Sequence, residues 1–447
     1  MAVTDKHPQY IAAQKSWLIM RDAVAGEEQI KQAQTKYLAK SAGMIEAEKQ
    51  GDTTGEIYKA YLSRAQYPLW VQDALRTMIG LVSKLEPNIV IESSLLKGLI
   101  ENATNDGFGL KQLFIRICSE LLEFGRCGLL VDVDANGVPY FALYDDALSI
   151  INWKENSIGG RKDLKLLVLE EQFDNSEDEF GHETKTVHRV LSMDDGALAV
   201  RLFDGSNVED KTPDLGGNQL PFTPFVFCGA TSNSPDVGTI PLLTMAKAAL
   251  KYYQLSADYY QSLHHTAHPQ PWINGLEGDE DISVTGVMAV WSLPPNSQCG
   301  YLEISGSGIE LTKKEMDAQK NSALEAGAKV VDTNTQESGE ARRARQDDQQ
   351  ASLHSIVMCA AAAIEQAIKY AAQWLKLDST KYSFTVEPEF IVQVTDINLA
   401  KQLYEGAISG KNSFRTYWEY LMTGKLPAHD YQEEVKRVEI ERDNTPL

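Results

Sequence analysis

Thr312-Lys-Lys-Glu-Met-Asp-Ala-Gln-Lys-Asn-Ser-Ala-Leu-Glu-Ala-Gly-Ala-Lys-Val-Val331 reads as a helix and Asp332-Thr-Asn-Thr-Gln-Glu-Ser-Gly339 as a polar break. Glu340-Ala-Arg-Arg-Ala-Arg-Gln-Asp-Asp-Gln-Gln350 then opens a second helix that runs to Leu375. In its last six turns or so, Leu353, Ile356, Val357, Ala360, Ile364, Ala367, Ile368, Ala371, Trp374 and Leu375 keep helical spacing. Its first eleven residues are almost wholly polar. One long helix, buried at its C-terminal half and solvated at its N-terminal half, projects from a body or lies on a surface with a charged end.

Upstream, the stripe Leu242, Ala246, Ala249, Leu250, Tyr253, Ala257, Tyr260 and Leu263 predicts another helix over 240–268, ended by His268-Pro269. Residues 269–302 change character. They hold Trp272, an acidic loop from Glu277 through Asp279 to Asp281, the apolar run to Trp291, and Pro294-Pro295. They read as a small β insert between two helices. Nearer the N-terminus, helices are expected over 8–50, 56–64, 69–85 and 110–125. Strands are expected over 127–133, 140–144 and 149–153. From 164 the period changes to two, and strands over 164–173, 186–193 and 197–203 predict a small antiparallel sheet, with one more strand at 221–228. After 377, strands at 382–387 and 390–394 precede helices at 397–405 and 413–423, separated by a break at 406–410, and a charged helical tail. The fold class is mixed α+β, mainly helical.

The helix, polar loop and Ser338-Gly339-x-Ala341 opening a long helix resemble the portal proteins of tailed bacteriophages, and most of all the compact portal family of short-tailed and related phages. Leu293-Pro-Pro-Asn-Ser-Gln-Cys-Gly-Tyr-Leu-Glu303 and Gly406-Ala-Ile-Ser-Gly-Lys411 fit the same order of elements. The resemblance implies a wing (1–239), a stem helix (240–268), a clip (269–302), a second stem helix (303–331), a tunnel loop (332–341), a long wing helix with returning strands (342–395) and a crown (396–447). It implies a ring of subunits, twelve in that family, at one capsid vertex of the virion, assembled in the host cytoplasm. The ring would pass double-stranded DNA in packaging and ejection and dock the terminase large subunit, the major capsid or scaffolding protein and a tail adaptor protein. Asp332, Thr333, Asn334, Thr335, Gln336, Glu337, Ser338 and Gly339 would then border the channel. Arg342, Arg343 and Arg345 would touch DNA, unless they serve only as helix ion pairs with Glu340, Asp347 and Asp348. Trp272, Glu277, Asp279 and Trp291 would meet partners from the clip.

Without the resemblance, the chain reads as an acidic, multidomain, non-enzymatic assembly protein. Its 447 residues suffice for two to four folding units, and 43% hydrophobic content suffices for real cores. A net charge of −21 argues against simple affinity for a phosphate backbone. Five cysteines without a CxxC pair read as core residues in a reducing compartment. The N-terminus carries no signal peptide, and no apolar run approaches a membrane span. His264 and His268 have a zinc-ligand spacing but no third ligand, and the 277–281 run lacks the alternation of a calcium loop. No phosphate loop, nucleophile elbow or Cys–His pairing is present. No cofactor and no metal are expected. The rival readings are a tail adaptor or scaffolding protein of a phage particle, and a metal-dependent hydrolase or nuclease.

Overall fold

The computed structural model describes residues 2–134, 137–158, 161–174, 180–213, 220–267, 270–275, 295–302, 306–327, 339–388, 397–423, 426–427 and 429–444, with backbone alone for 157–158, 161–162, 174, 270–271, 302, 339–351, 397–398, 422–423 and 443–444. The chain divides into two compact units, Met1–Pro388 and Glu389–Leu447.

The first unit is built round helices that bury one apolar face and a central strand buried on both. Helix α1 spans Pro8–Ala25, α2 Glu27–Gln32, α3 Ala42–Gln50, α4 Glu56–Arg64 and α5 Trp70–Val82. After strand β1 (Asn88–Ile91), α6 (Leu110–Phe124) buries Leu110, Leu113, Phe114, Ile117, Cys118, Leu121 and Leu122. Gly125 ends α6 at φ +71, and a Cβ there would stand 2.4 Å from the Thr239 carbonyl oxygen. Only glycine admits both that backbone and that approach. The chain turns directly into β2 (Arg126–Val133), whose first six residues are all buried. A strand covered on both faces reads as a continuous apolar run rather than an alternation. It is flanked by β3 (Pro139–Tyr144) and, after a long excursion, by β9 (Phe225–Gly229), in the order β3-β2-β9.

The excursion is an antiparallel meander: β4 (Ile150–Ile158), β5 (Arg161–Asp174), β6 (Thr184–Asp194), β7 (Ala197–Asp204) and β8 (Asn207–Asp210), in sequential order. Helix α7 (Leu243–Ala267) follows, then β10 (Gln270–Asn274), β11 (Gln298–Leu302), α8 (Gly306–Glu325) and α9 (Gly339–Trp374). Helix α9 packs on α6, β2 and β9. Its stripe is as predicted up to the helix end: Leu353, Ile356, Val357, Ala360, Ile364, Ala367, Ile368, Ala371 and Trp374 are all buried, while Leu375 lies one residue past the helix and is half-buried. Each buried Ile or Leu there contributes roughly 1.5–3 kcal/mol. Of the described helices, one segment, Ser352–Trp374, is long and apolar enough to cross a membrane, and its stripe faces the protein core. Strand β12 (Tyr382–Thr385) returns to pair antiparallel with β1, Asn88 opposite Thr385 and Ile91 opposite Tyr382.

The second unit holds α10 (Ile397–Ile408), α11 (Phe414–Thr423) and α12 (Tyr431–Asn444). Helix α10 runs through Gly406, where a break was expected. A Cβ at Gly406 would lie 2.0 Å from Asn412 Oδ1, so this glycine serves a close approach and not a bend. The described part of the helix expected over 303–331 runs from 306 to 325. The strand expected at 390–394 lies outside the described residues. Strands β1 and β8 have no counterpart in the sequence reading.

Candidate functional site

The feature that departs from a plain globular body is the hairpin of α7 and α8. At 1.5 Å per residue, α7 is about 37 Å long and α8 about 30 Å. They pack along each other and are joined through the two-stranded ribbon of β10 and β11. The N-terminal half of α7 is fixed in the body: Met245, Ala246, Ala249, Leu250, Tyr253, Ser256 and Ala257 are buried. Beyond Ala257 no described residue of α7 is buried, and Leu263 is 37% exposed. In α8, Met316, Ala323 and Leu324 are buried, whereas Leu311 near its start is 66% exposed. The hairpin therefore emerges from the body with its ribbon at the free end. The first half of the stripe read from the sequence on α7 is thus covered by the body.

A collar of polar contacts grips α7 where it emerges. Ser256 Oγ accepts from Gln66 N (2.9 Å) and donates to Gln66 O (3.1 Å) or Tyr253 O (2.7 Å). Tyr61 OH donates to Asp258 Oδ1 at 2.6 Å, Arg64 Nη1 to Gln261 Oε1 at 3.0 Å, and Tyr260 OH to Gln66 Oε1 at 2.9 Å. Burial, reinforced by the Asp258 carboxylate, pushes the Tyr61 hydroxyl well above its ordinary value. Beside the collar is an open cavity of about 770 Å³, lined among others by Glu27, Lys31, Arg64, Tyr67, Tyr252, Tyr260 and His264. The sequence held one sign of the collar: Ser256 is a polar residue on an apolar stripe. Its partners 190 residues away had none.

Of the predicted site residues, Trp272 is placed on the ribbon, opposite Gly300 and 42% exposed. A Cβ at Gly300 would stand 3.0 Å from Trp272 Nε1, so the indole lies across the glycine. Glu277, Asp279 and Trp291 lie outside the described residues, as do Asp332, Thr333, Asn334, Thr335, Gln336, Glu337 and Ser338. Gly339 opens α9, and Arg342, Arg343 and Arg345 fall in its first two turns, where backbone alone is described. His265 Nε2 lies 2.8 Å from Gln261 Nε2, and His268 is outside the described residues.

A second cavity, of about 750 Å³, lies among α1, β3 and β5. On its floor Arg189 donates to both carboxylate oxygens of Glu171 (2.6 and 3.3 Å), and Tyr144 OH donates to Glu171 Oε1 at 2.5 Å. Burial opposes the charge of Arg189, but Glu171 outweighs it and holds the guanidinium above its ordinary value. This is a closed ion-pair network with its donors spent internally, not a nucleophile beside a base. Among the described residues no group of three His, Cys, Asp or Glu is set to hold a metal ion.

A family model described as a domain of unknown function (DUF4055) matches residues 241–375. That span begins two residues before α7 and ends one after α9, so it coincides with hairpin plus long helix. No curated protein matches the chain. Among solved structures, the chain is similar to one described as the neck of a native GTA particle computed with C12 symmetry, at 16% identity and a TM-score of 0.42, over 80% of this chain and 90% of that one. It is similar to one from the virion of a native gene transfer agent particle, at 12% identity and a TM-score of 0.39, over 80% and 90%. It is also similar to an HK97-family phage portal protein from Corynebacterium diphtheriae, at 10% identity and a TM-score of 0.33, over 71% of this chain and 92% of that one. The likeness to portal proteins stated from the sequence thus reappears among solved structures, at scores that describe chain path and nothing of activity or assembly.

Proposed function

We propose that the chain is a portal subunit: a structural, non-enzymatic protein that closes into a ring at a capsid vertex and lets double-stranded DNA through in packaging and ejection. The observation that carries this reading is the hairpin. A body-anchored helix leaves a polar collar, ends in a small ribbon, and returns as α8 toward the segment that leads into a 36-residue helix. That is the order of stem, clip, stem, tunnel loop and wing helix which the Ser338-Gly339-x-Ala341 resemblance implies. The ribbon with Trp272 is the proposed contact for terminase and tail adaptor, and 332–339 with Arg342, Arg343 and Arg345 the proposed channel segment. An acidic subunit repeated round an axis repels phosphate, which suits sliding better than gripping.

The test is an electron-microscope image with mass measurement of the purified protein. A ring with a central hole wide enough for duplex DNA is expected, and a monodisperse monomer at every concentration and salt overturns the reading. In such rings, shortening 333–338 is expected to leave assembly intact and impair packaging or retention of DNA. Deleting 276–286 is expected to leave rings intact and abolish terminase or adaptor binding.

A further inference from the structure

The N-terminal end of α1 is tied to two other parts of the first unit. His7 N donates to Ile151 O (2.9 Å), and Asn152 Nδ2 donates to Asp5 O (2.8 Å), which holds the segment to β4. Gln9 Nε2 donates to Asp236 Oδ1 (2.8 Å), and Val237 N donates to Gln9 Oε1 (2.9 Å), which holds it to the loop 230–242 that runs into α7. His7 stands at the junction. Its ring stacks on Trp153 with centroids 3.8 Å apart and planes at 22°. Its Nδ1 accepts the Gln9 amide at 3.2 Å and so caps α1. The guanidinium of Arg126 lies 4.0 Å from the same Trp153 ring. Arg126 is buried, and its Nη2 donates to Pro235 O (3.0 Å) in that loop.

We propose that His7 is a pH-sensitive latch: neutral, its ring caps α1 at the point where the segment meets β4 and the loop entering α7, and protonated, it gives up that cap and so loosens the segment from both. A ring nitrogen that carries a proton cannot accept the Gln9 amide. A cation at that place also faces the positive end of the helix dipole and the Arg126 charge. The charged groups around it are Arg126 from β2, Asp236 from the loop and Lys6 from its own segment, while β4 presents an indole and a carbonyl. Asp236 favours the imidazolium, but one of its oxygens is already engaged by Gln9. Burial, and after it Arg126, hold the imidazole below its ordinary value of 6.5. Above pH 6.5 the ring is neutral whether latched or free, and the latch is intact. As pH falls below 6.5 the free form takes its proton first, and the latch weakens until the latched ring is protonated too.

The latch stands whether or not the chain forms rings. Its test is hydrogen exchange on the full chain at pH 7.5 and 5.5, with rates corrected for the intrinsic effect of pH. His7→Asn keeps a capping oxygen and removes the titration. The expected result is that peptides covering 5–14 and 230–242 exchange at least about fivefold faster at pH 5.5 in the natural chain, the size of one lost cap. In His7→Asn their rates are expected to be the same at both pH values. Equal acceleration in the two proteins, or none in the natural chain, overturns the proposal. Should His7→Asn fold poorly, His7→Gln decides by the same comparison.

Discussion

Glu120 of α6 is half-buried, within reach of Glu123, Asp145 and Asp146. Burial first, and these three charges after it, push its carboxyl up to about 9, and burial with Asp146 and Asp145 pushes Glu123 up to about 7. A carboxyl raised in the folded state favours folding fully only below its unfolded value of 4.5. That contribution is lost as pH rises to about 9. Glu120→Gln removes the conflict. It is expected to stabilise the protein at pH 8 by about 1–2 kcal/mol, after discount for partial exposure, and by nothing near pH 4. Urea melts at the two pH values check it. The cysteines make a second residue-scale case. Cys118, Cys127 and Cys228 are buried, Cys359 is half-buried and Cys299 is exposed. Cys127 stands directly opposite Cys228 on β2 and β9. The bonds Val131 N to Pro224 O and Ala230 N to Gly125 O make theirs a hydrogen-bonded pair, whose Cβ atoms lie about 5.5 Å apart, beyond the reach of an unstrained disulfide. A native thiol titration is therefore expected to count one fast thiol, and an unfolded one five. The sequence shows the cysteines as scattered, because their meeting depends on a strand pairing 101 residues apart.

Elements explain what was legible. The stripes of α6, α7 and α9 span many turns, so periodicity had enough positions to speak clearly. Strands β1 and β8 have four residues each, too few for a period of two to show, and β1 exists only through its distant partner. The collar on α7 is a contact between elements, and its strength is testable at Ser256. Ser256→Ala is expected to remove the acceptor of Gln66 N at a part-buried site and cost about 0.5–1.5 kcal/mol in a urea melt. A cost near zero means water replaces the hydroxyl. In the second unit, α12 caps α11 from the side. Glu441 accepts from Phe414 N (2.7 Å) and Arg415 N (2.9 Å), and Glu434 from Ser413 N (2.7 Å) and Thr416 Oγ1 (2.7 Å). Four donors at a helix start are thus met by two carboxylates, which also suit the helix dipole. Burial opposes the charge of Glu434, but the Ser413, Thr416 and His429 hydrogen bonds outweigh it and hold the carboxyl below its ordinary value. A depressed carboxylate contributes fully above its unfolded value of 4.5, and that contribution fades as pH falls. Glu434→Gln with Glu441→Gln is expected to speed exchange of the 413–416 amides about tenfold at pH 7, and to abolish their acceleration below pH 4.5.

At the scale of the molecule, charge and edges both discourage indiscriminate association. The chain carries −21, and β8, at the end of the five-stranded sheet, exposes Asn207, Val208, Glu209 and Asp210. Acidic side chains on an edge strand discourage further pairing. What neither composition nor periodicity could disclose is how late the first unit closes. Asn88 pairs with Thr385, 297 positions later in the chain, and α9, which fills the core, begins only at Gly339. Closing so long a loop is costly and slow. During synthesis, α6 and β2 leave the ribosome long before the helix and strand that cover them, so the core of the first unit closes only when nearly all of that unit has been made. A purified truncation ended at residue 338 is expected to remain protease-sensitive throughout 88–133, whereas one ended at 388 is resistant, as limited proteolysis of the two would read. A first unit that lacks 339–388 is left with α6 and β2 uncovered, and its surface is complete only once α9 and β12 have arrived.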